Sequence, residues 1–382
     1  MRMRRTVVVS SCGTSLIMNG SDEEMRRILN RTANFKEKEV PPADRQQIDN
    51  RLLERRNELM AASVSEARRL SAEVNGIAGF YGGDLAGAGP ADIQILLHTD
   101  TYQGEQVAQV LAERLRKASQ TVLLASIDSL ATSSLETFRW GVQELVRWCQ
   151  DQLANYRKDG YRIVFNLTGG FKGVQGVLNT LGHVYADEIV YIFEGSELIR
   201  IPRLPVRLDM GQAVEAHIHL FRRMHNGHKV LASEAAGIPE TLVEADGSKE
   251  SAELYVTLSI LGDIAWQEAY KGVYGRGLLE PPTSRIRYTE RFRRDVQAVS
   301  EADRLILLNE RIDDLDKHLH GGTGNLRSLN LHPVLGKPPL PVITHECYAW
   351  SDKDARRIYL HFEDGRGEGG PVAVLDMLGT HL

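Results

Sequence analysis

Eight residues, Asn166-Leu167-Thr168-Gly169-Gly170-Phe171-Lys172-Gly173, follow directly on the apolar run Tyr161–Phe165. A short β-type segment ending in an amide, a hydroxyl, two glycines and a lysine has the composition of a strand that opens into an anion-binding turn. The helical pattern Val174–Tyr185 comes next and would set its positive N-terminal end at that turn. Glycines let the backbone approach a phosphate closely, and Lys172 adds a mobile positive charge. The spacing is neither that of a Walker loop nor that of a dinucleotide fingerprint. The plainer alternative is a helix-start loop in which Thr168 only caps the helix. A second polar turn, Ser10-Ser11-Cys12-Gly13-Thr14-Ser15, also follows an apolar run and favours a phosphate or nucleotide site. A third, His98–Gly104 with Thr101 inside it, completes a set that predicts one shared pocket.

Near the C-terminus the residue types suit a different chemistry. Metal-free cleavage of an RNA phosphodiester needs a base for the ribose 2′-hydroxyl, cations for the crowded phosphate and an acid for the departing 5′-oxygen. His345, Glu346, Tyr348, Arg357 and His381 are of those types and fall on predicted strands or at the chain end. The alternative is solvated surface, where such residues are common. The histidines between His318 and His381 show no zinc spacing. Cys12, Cys149 and Cys347 form neither a metal spacing nor a disulfide framework. The expectation is a reduced, cytoplasmic protein without metal or cofactor.

The elements that must position these residues follow from the patterning. At 382 residues the chain has room for two or three domains. Its net charge of −5 argues against a whole-protein polyanion binder, so nucleic-acid contacts must rest on local patches. No apolar run is long enough to span a membrane. Over residues 1–208, apolar runs at Thr6–Val9, Ile93–Leu97, Thr121–Ala125, Arg162–Leu167 and Glu188–Phe193 alternate with helical stretches at Gly104–Ala118, Leu135–Arg157 and Val174–Tyr185. That alternation predicts an α/β domain with a mainly parallel sheet and a ligand beyond the carboxyl ends of its strands. The charged helical segment 22–75 reads as an excursion from this core or as an oligomer contact. Residues 209–282, with helices around Ala213–Met224 and Glu253–Tyr270, suit a small helical or winged-helix-like module. Residues 283–382 open with Arg285, Arg287, Arg291, Arg293 and Arg294. A helix at Glu301–His318 and strands at Pro341–Trp350, Arg356–Phe362 and Val372–Leu378 follow. Helix first and strands afterwards predict an α+β domain with an antiparallel sheet.

Gly13-Thr14-Ser15 after the first strand, together with Asn166, Thr168, Gly169, Gly170, Phe171 and Lys172 in order, resembles the CARF domains of type III CRISPR systems. The resemblance covers the first half of the chain. It implies a Rossmann-like domain that forms a homodimer and binds a cyclic oligoadenylate across the dyad, cyclic tetra-adenylate first among the candidates. Ser10, Ser11, Gly13, Thr14 and Ser15 would then contact the ring. Asn166, Thr168, Gly169, Gly170 and Lys172 would contact its phosphates and riboses. Some such domains cleave the ring slowly. In that case Lys172 would stabilise the charge that develops as a ribose hydroxyl attacks its own phosphodiester.

The C-terminal region resembles RelE-type toxins, the ribosome-dependent mRNA interferases. The resemblance rests on size, the basic helical start, Leu326-Arg327-Ser328-Leu329, Gly336-Lys337-Pro338, and the strand pair His345–Trp350 with Arg356–Leu360. Glu346 or His345 would be the base, Arg357 the phosphate-stabilising cation and His381 the acid. Arg294, Arg327 and Lys337 would position RNA. The paired lysines of some members are absent where Tyr348 and Trp350 stand. Taken together, the chain resembles the CARF–RelE fusion ribonucleases. That resemblance implies a signal-gated enzyme that cuts mRNA on the ribosome, with the middle region as a spacer or a contact to a ribosomal protein. Two rivals remain: a ligand-responsive transcription regulator with a DNA-binding winged helix, and a stand-alone ring nuclease with a structural C-terminal domain.

Overall fold

Five short apolar strands form the centre of the first half of the chain: β1 (Thr6–Ser11), β2 (Ile93–Thr99), β3 (Thr121–Ile127), β4 (Arg162–Asn166) and β5 (Glu188–Ile192). They lie parallel, and β6 (Leu198–Pro202) adds an antiparallel edge in the order β3-β2-β1-β4-β5-β6. The computed structural model describes residues 5–130, 134–170, 172–193, 197–203, 210–246, 253–321, 328–352, 354–365 and 369–380, and for Glu136 and Lys172 the backbone alone. Val7, Val8, Val9 and Ile163–Phe165 are buried throughout, as central strands covered on both faces require. The segment read as an excursion forms helices that close one face of this sheet. Pro42 opens the helix Pro42–Ala61 at a position where its missing N–H costs nothing, and that helix buries Ile48, Leu52 and Leu59 in the same core, against neighbouring helices.

The chain divides into two units, Met1–Arg207 and Leu208–Leu382. In the second, β7 (Val230–Leu231), β8 (Val243–Ala245) and β9 (Tyr255–Leu258) make a small antiparallel sheet in the order β7-β9-β8. Helices Ile218–His225 and Ile260–Tyr274 pack on it, so the first part of the helix expected from Glu253 is strand instead. A five-stranded sheet follows, with β10 (Ile286–Tyr288), β11 (His332–Pro333), β12 (His345–Trp350), β13 (Arg356–Glu363) and β14 (Val372–Thr380) in the order β10-β14-β13-β12-β11. It is antiparallel except where β10 joins β14. Helices Glu290–Gln297 and Ala302–Leu319 cover one face through Phe292, Leu308, Ile312 and Leu315.

Within this unit, residues 209–282 and 283–382 share a buried polar network. Arg222, 2% exposed, donates to Asp313 (2.5 Å) and to the Glu280 carbonyl (2.7 Å). Tyr274 also donates to Asp313. Asp316, fully buried, accepts from Asn226 (2.9 Å), His228 (2.6 Å) and Thr283 (2.7 Å). Such service offsets the cost of burying a charge.

Candidate functional site

The first candidate site lies where strand order reverses. β2 runs on one side of β1 and β4 on the other, so the crevice beyond their carboxyl ends is where open α/β sheets take ligands. Ser10 and Ser11 end β1, and Asn166, paired in register with Ser10, ends β4. Most of the polar groups there serve the protein itself. Asn166 Nδ2 donates to Ser10 Oγ (3.1 Å) and to the Glu73 carbonyl (3.2 Å), while its Oδ1 accepts from the Thr168 amide (3.2 Å). Ser11 Oγ donates to the Gly169 carbonyl at 2.7 Å, and Thr168 Oγ1 accepts from the Ile192 amide at 3.1 Å. Gly170 sits at φ +105°, a conformation open mainly to glycine. The two turns are therefore a single interlocked structure. Thr101 is likewise engaged, capping the helix Tyr102–Lys117 through the Gly104 amide (3.2 Å).

Some groups at the rim are only partly enclosed. Gly13, Thr14, Ser15 and Gly170 are half-buried, Thr14 makes no side-chain cap bond, and Ser15 Oγ has no hydrogen-bond partner among the described residues. The helix Lys172–Tyr185 starts at this rim. Phe171 and the Lys172 side chain lie outside the described residues.

Sequence reasoning missed the residue at the centre of this arrangement. Glu73, 1% exposed, lies in the first turn of the helix Ala72–Phe80 and aims its carboxylate into the two turns. Oε1 accepts from the Gly13 amide at 3.0 Å and Oε2 from Ser71 Oγ at 2.7 Å. Burial pushes this carboxyl above its usual range; bonds from the Gly13, Gly170 and Glu73 amides and from Ser71 pull the other way without cancelling it. The helix passes so close to β4 that a Cβ at Gly76 would lie 2.0 Å from Asn166 Oδ1. A glutamate flanked by Val74, Ile77 and Ala78 was the available signal.

The second candidate site is the face of the C-terminal sheet turned away from its helices. Tyr348 pairs with Arg357 and Glu346 with Tyr359, so these four share that face. The Arg357 guanidinium stacks over the Tyr348 ring, 3.9 Å from its centroid. Arg357 is 8% exposed, and its Nε and Nη1 have no hydrogen-bond partner among the described residues. Glu346 is buried beside His332 at 3.7 Å. His345, one residue earlier, falls on the opposite face, where its ring meets Phe362 edge-on at 4.9 Å and Thr344 at 2.8 Å. Burial, with His332 adding to it, holds its imidazole below the ordinary range. The structure thus brings Glu346, Tyr348 and Arg357 together and leaves His345 out. Further along this face, His361 Nδ1 meets Asp376 at 2.8 Å, a pair that sequence reasoning did not single out.

The arginine cluster is largely spent within the fold. Arg285 is buried, Arg287 pairs with Glu363 (3.1 Å), and Arg293 grips Glu280 (2.9 Å). Arg294 and Lys337 are exposed. Arg327 and His381 lie outside the described residues. One group among the described residues has metal-ligand types in reach, His228, Asp316 and His320. Its polar atoms already serve one another: Asp316 is bonded as above, and His320 Nδ1 is engaged with the Asp316 carbonyl at 2.9 Å.

No helix among the described residues is long and apolar enough to cross a membrane. No curated protein matches the chain. Residues 68–204 match the family model described as CRISPR-associated protein (Cas_APE2256). The matched segment contains Glu73, Gly76 and the Asn166–Gly170 turn, ends before the second unit, and supports a CRISPR-associated protein.

Proposed function

We propose that this chain is a cyclic oligoadenylate-activated, ribosome-dependent mRNA endoribonuclease of type III CRISPR defence. A homodimer of the first unit would bind the ring, cyclic tetra-adenylate first, at the ends of β1 and β4. Differential affinity for two dimer arrangements would then favour a cleavage-competent state of the second unit. The single observation that carries the nuclease half is Arg357. A buried guanidinium with two unserved donors costs stability unless an anion completes it. A scissile RNA phosphate is such an anion.

In this reading Arg357 stabilises the crowded phosphate and Glu346, on the same face, takes the proton of the ribose 2′-hydroxyl. The oxygen attacks phosphorus, the bond to the 5′-oxygen breaks, and the products are a 2′,3′-cyclic phosphate and a 5′-hydroxyl. Tyr348 holds the guanidinium in place. His381 remains the proposed acid for the 5′-oxygen, Arg294, Arg327 and Lys337 the RNA contacts, and residues 209–282 a contact to a ribosomal protein. Slow cleavage of the ring with help from Lys172 would limit the signal. The test adds purified protein to a translation extract with and without cyclic tetra-adenylate and maps mRNA ends. Ligand-dependent ends on ribosome-bound mRNA support the reading, and their absence rejects it.

A further inference from the structure

The turns that the sequence marks for a phosphate already hold an acidic side chain. The Glu73 carboxylate is met by donors: the Gly13 amide at 3.0 Å and Ser71 Oγ at 2.7 Å, with the Gly170 and Glu73 amides close by. An acceptor ringed only by donors is the coordination of an ionised group, and backbone amides gathered from two turns are the donors used for phosphate. Glu73 also fills the space. A Cβ at Gly169 would lie 2.5 Å from its Cδ. The carboxylate is tied to a helix as well. Glu73 is on the first turn of the nine-residue helix Ala72–Phe80, and its own carbonyl accepts from Asn166 Nδ2 at 3.2 Å. The helix therefore holds the strand ends by the side chain and by the backbone of one residue.

We propose that Glu73 is an internal stand-in for a ligand phosphate, so that ligand capture at this site is an exchange of one anion for another. This rests on the reading of the first unit as a cyclic oligoadenylate sensor, and it adds how that sensor is held off. Two anions cannot share one set of amides, because the second would be unserved and repelled. A phosphate that takes the amides of Gly13 and Gly170 expels the Glu73 carboxylate and loosens the N-terminal turn of the helix Ala72–Phe80. The binding free energy is thereby spent partly on moving a helix, which is what a ligand must do to shift a conformational equilibrium. A specific ring ligand with several phosphates meets that cost, whereas a single free phosphate does not.

The test uses the full-length chain and cyclic tetra-adenylate. In the Glu73→Gln variant the side chain keeps its shape and loses its charge. Exchange predicts ring affinity at least tenfold tighter than wild type and, in both proteins, no measurable binding of inorganic phosphate at millimolar concentration. Affinity unchanged within twofold, or weakened, overturns the proposal. Amide hydrogen exchange on the wild-type chain gives a second readout that needs no variant. Ligand should raise exchange over residues 72–76 while lowering it at 13–17, and protection at both segments overturns the exchange. Wild-type protein that binds no ring at all instead rejects the sensor reading, so the two failures are distinguishable.

Discussion

Glu73 and Arg357 are both buried charges, one in each unit, and they are served in opposite ways. Glu73 meets donors at both oxygens, whereas Arg357 has an aromatic face beneath it and two donors with nothing to bond among the described residues. The first charge holds two turns and a helix together. The second contributes no hydrogen bond from Nε or Nη1 and is kept at a cost, which is the signature of a group placed for a ligand. Removing each should therefore damage different properties.

The largest expected effect is on activity at Arg357. Arg357→Met keeps much of the volume over Tyr348 and removes the charge. Ligand-stimulated RNA cleavage should fall by about 10²–10³-fold, while the urea midpoint stays level or rises, because an unserved buried charge has been removed. Loss of activity together with a collapse in stability would erase the contrast. The Glu73→Ala variant should show the opposite pattern. Its buried donors lose their acceptor, and unfolding free energy should drop by about 1–3 kcal/mol in urea titration. A neutral result there would mean that the turns hold without their carboxylate.

Gly169→Ala sharpens the same point with one methyl group. Its Cβ would stand 2.5 Å from Glu73 Cδ, so either the turn or the carboxylate must shift. The expected loss is about 1–3 kcal/mol, and it should shrink in a Glu73→Ala background, as a double-mutant cycle would reveal. The smallest effect is in pH dependence. Because burial raises the Glu73 carboxyl, the folded chain holds its proton more tightly than the unfolded chain, whose glutamate titrates near about 4.3. That contribution to stability is fully present below the unfolded value and is lost as pH rises through the folded one. Wild type should gain on Glu73→Gln as pH is lowered from 7 toward 5, read as a difference in melting temperature. A flat difference would argue against a raised carboxyl.

The strands of the first unit were legible because buried parallel strands read as unbroken apolar runs, as at Thr6–Val9 and Arg162–Asn166. β6 was not, since Leu198-Ile-Arg-Ile-Pro202 is short and half exposed at a sheet edge. β10 was hidden inside the arginine cluster, of which Arg285 is buried and Arg287 and Arg293 form ion pairs with Glu363 and Glu280. The separation of His345 from Glu346 was readable in principle, because neighbours on a strand face opposite ways. Glu73 offered only its apolar neighbours Val74, Ile77 and Ala78 as a signal, because its burial depends on a helix folding back over strand ends nearly a hundred residues away in sequence. Position in sequence identified the turns, but tertiary packing determined which of their atoms were already taken.

The most direct test of the account is a single-turnover measurement of mRNA cleavage on programmed ribosomes, with cyclic tetra-adenylate present and absent, for wild type and Arg357→Met. The account predicts cleavage by wild type only with the ring, ends carrying a 2′,3′-cyclic phosphate, and a loss of at least a hundredfold in the variant. Equal rates for the two proteins, or cleavage indifferent to the ring, would contradict it.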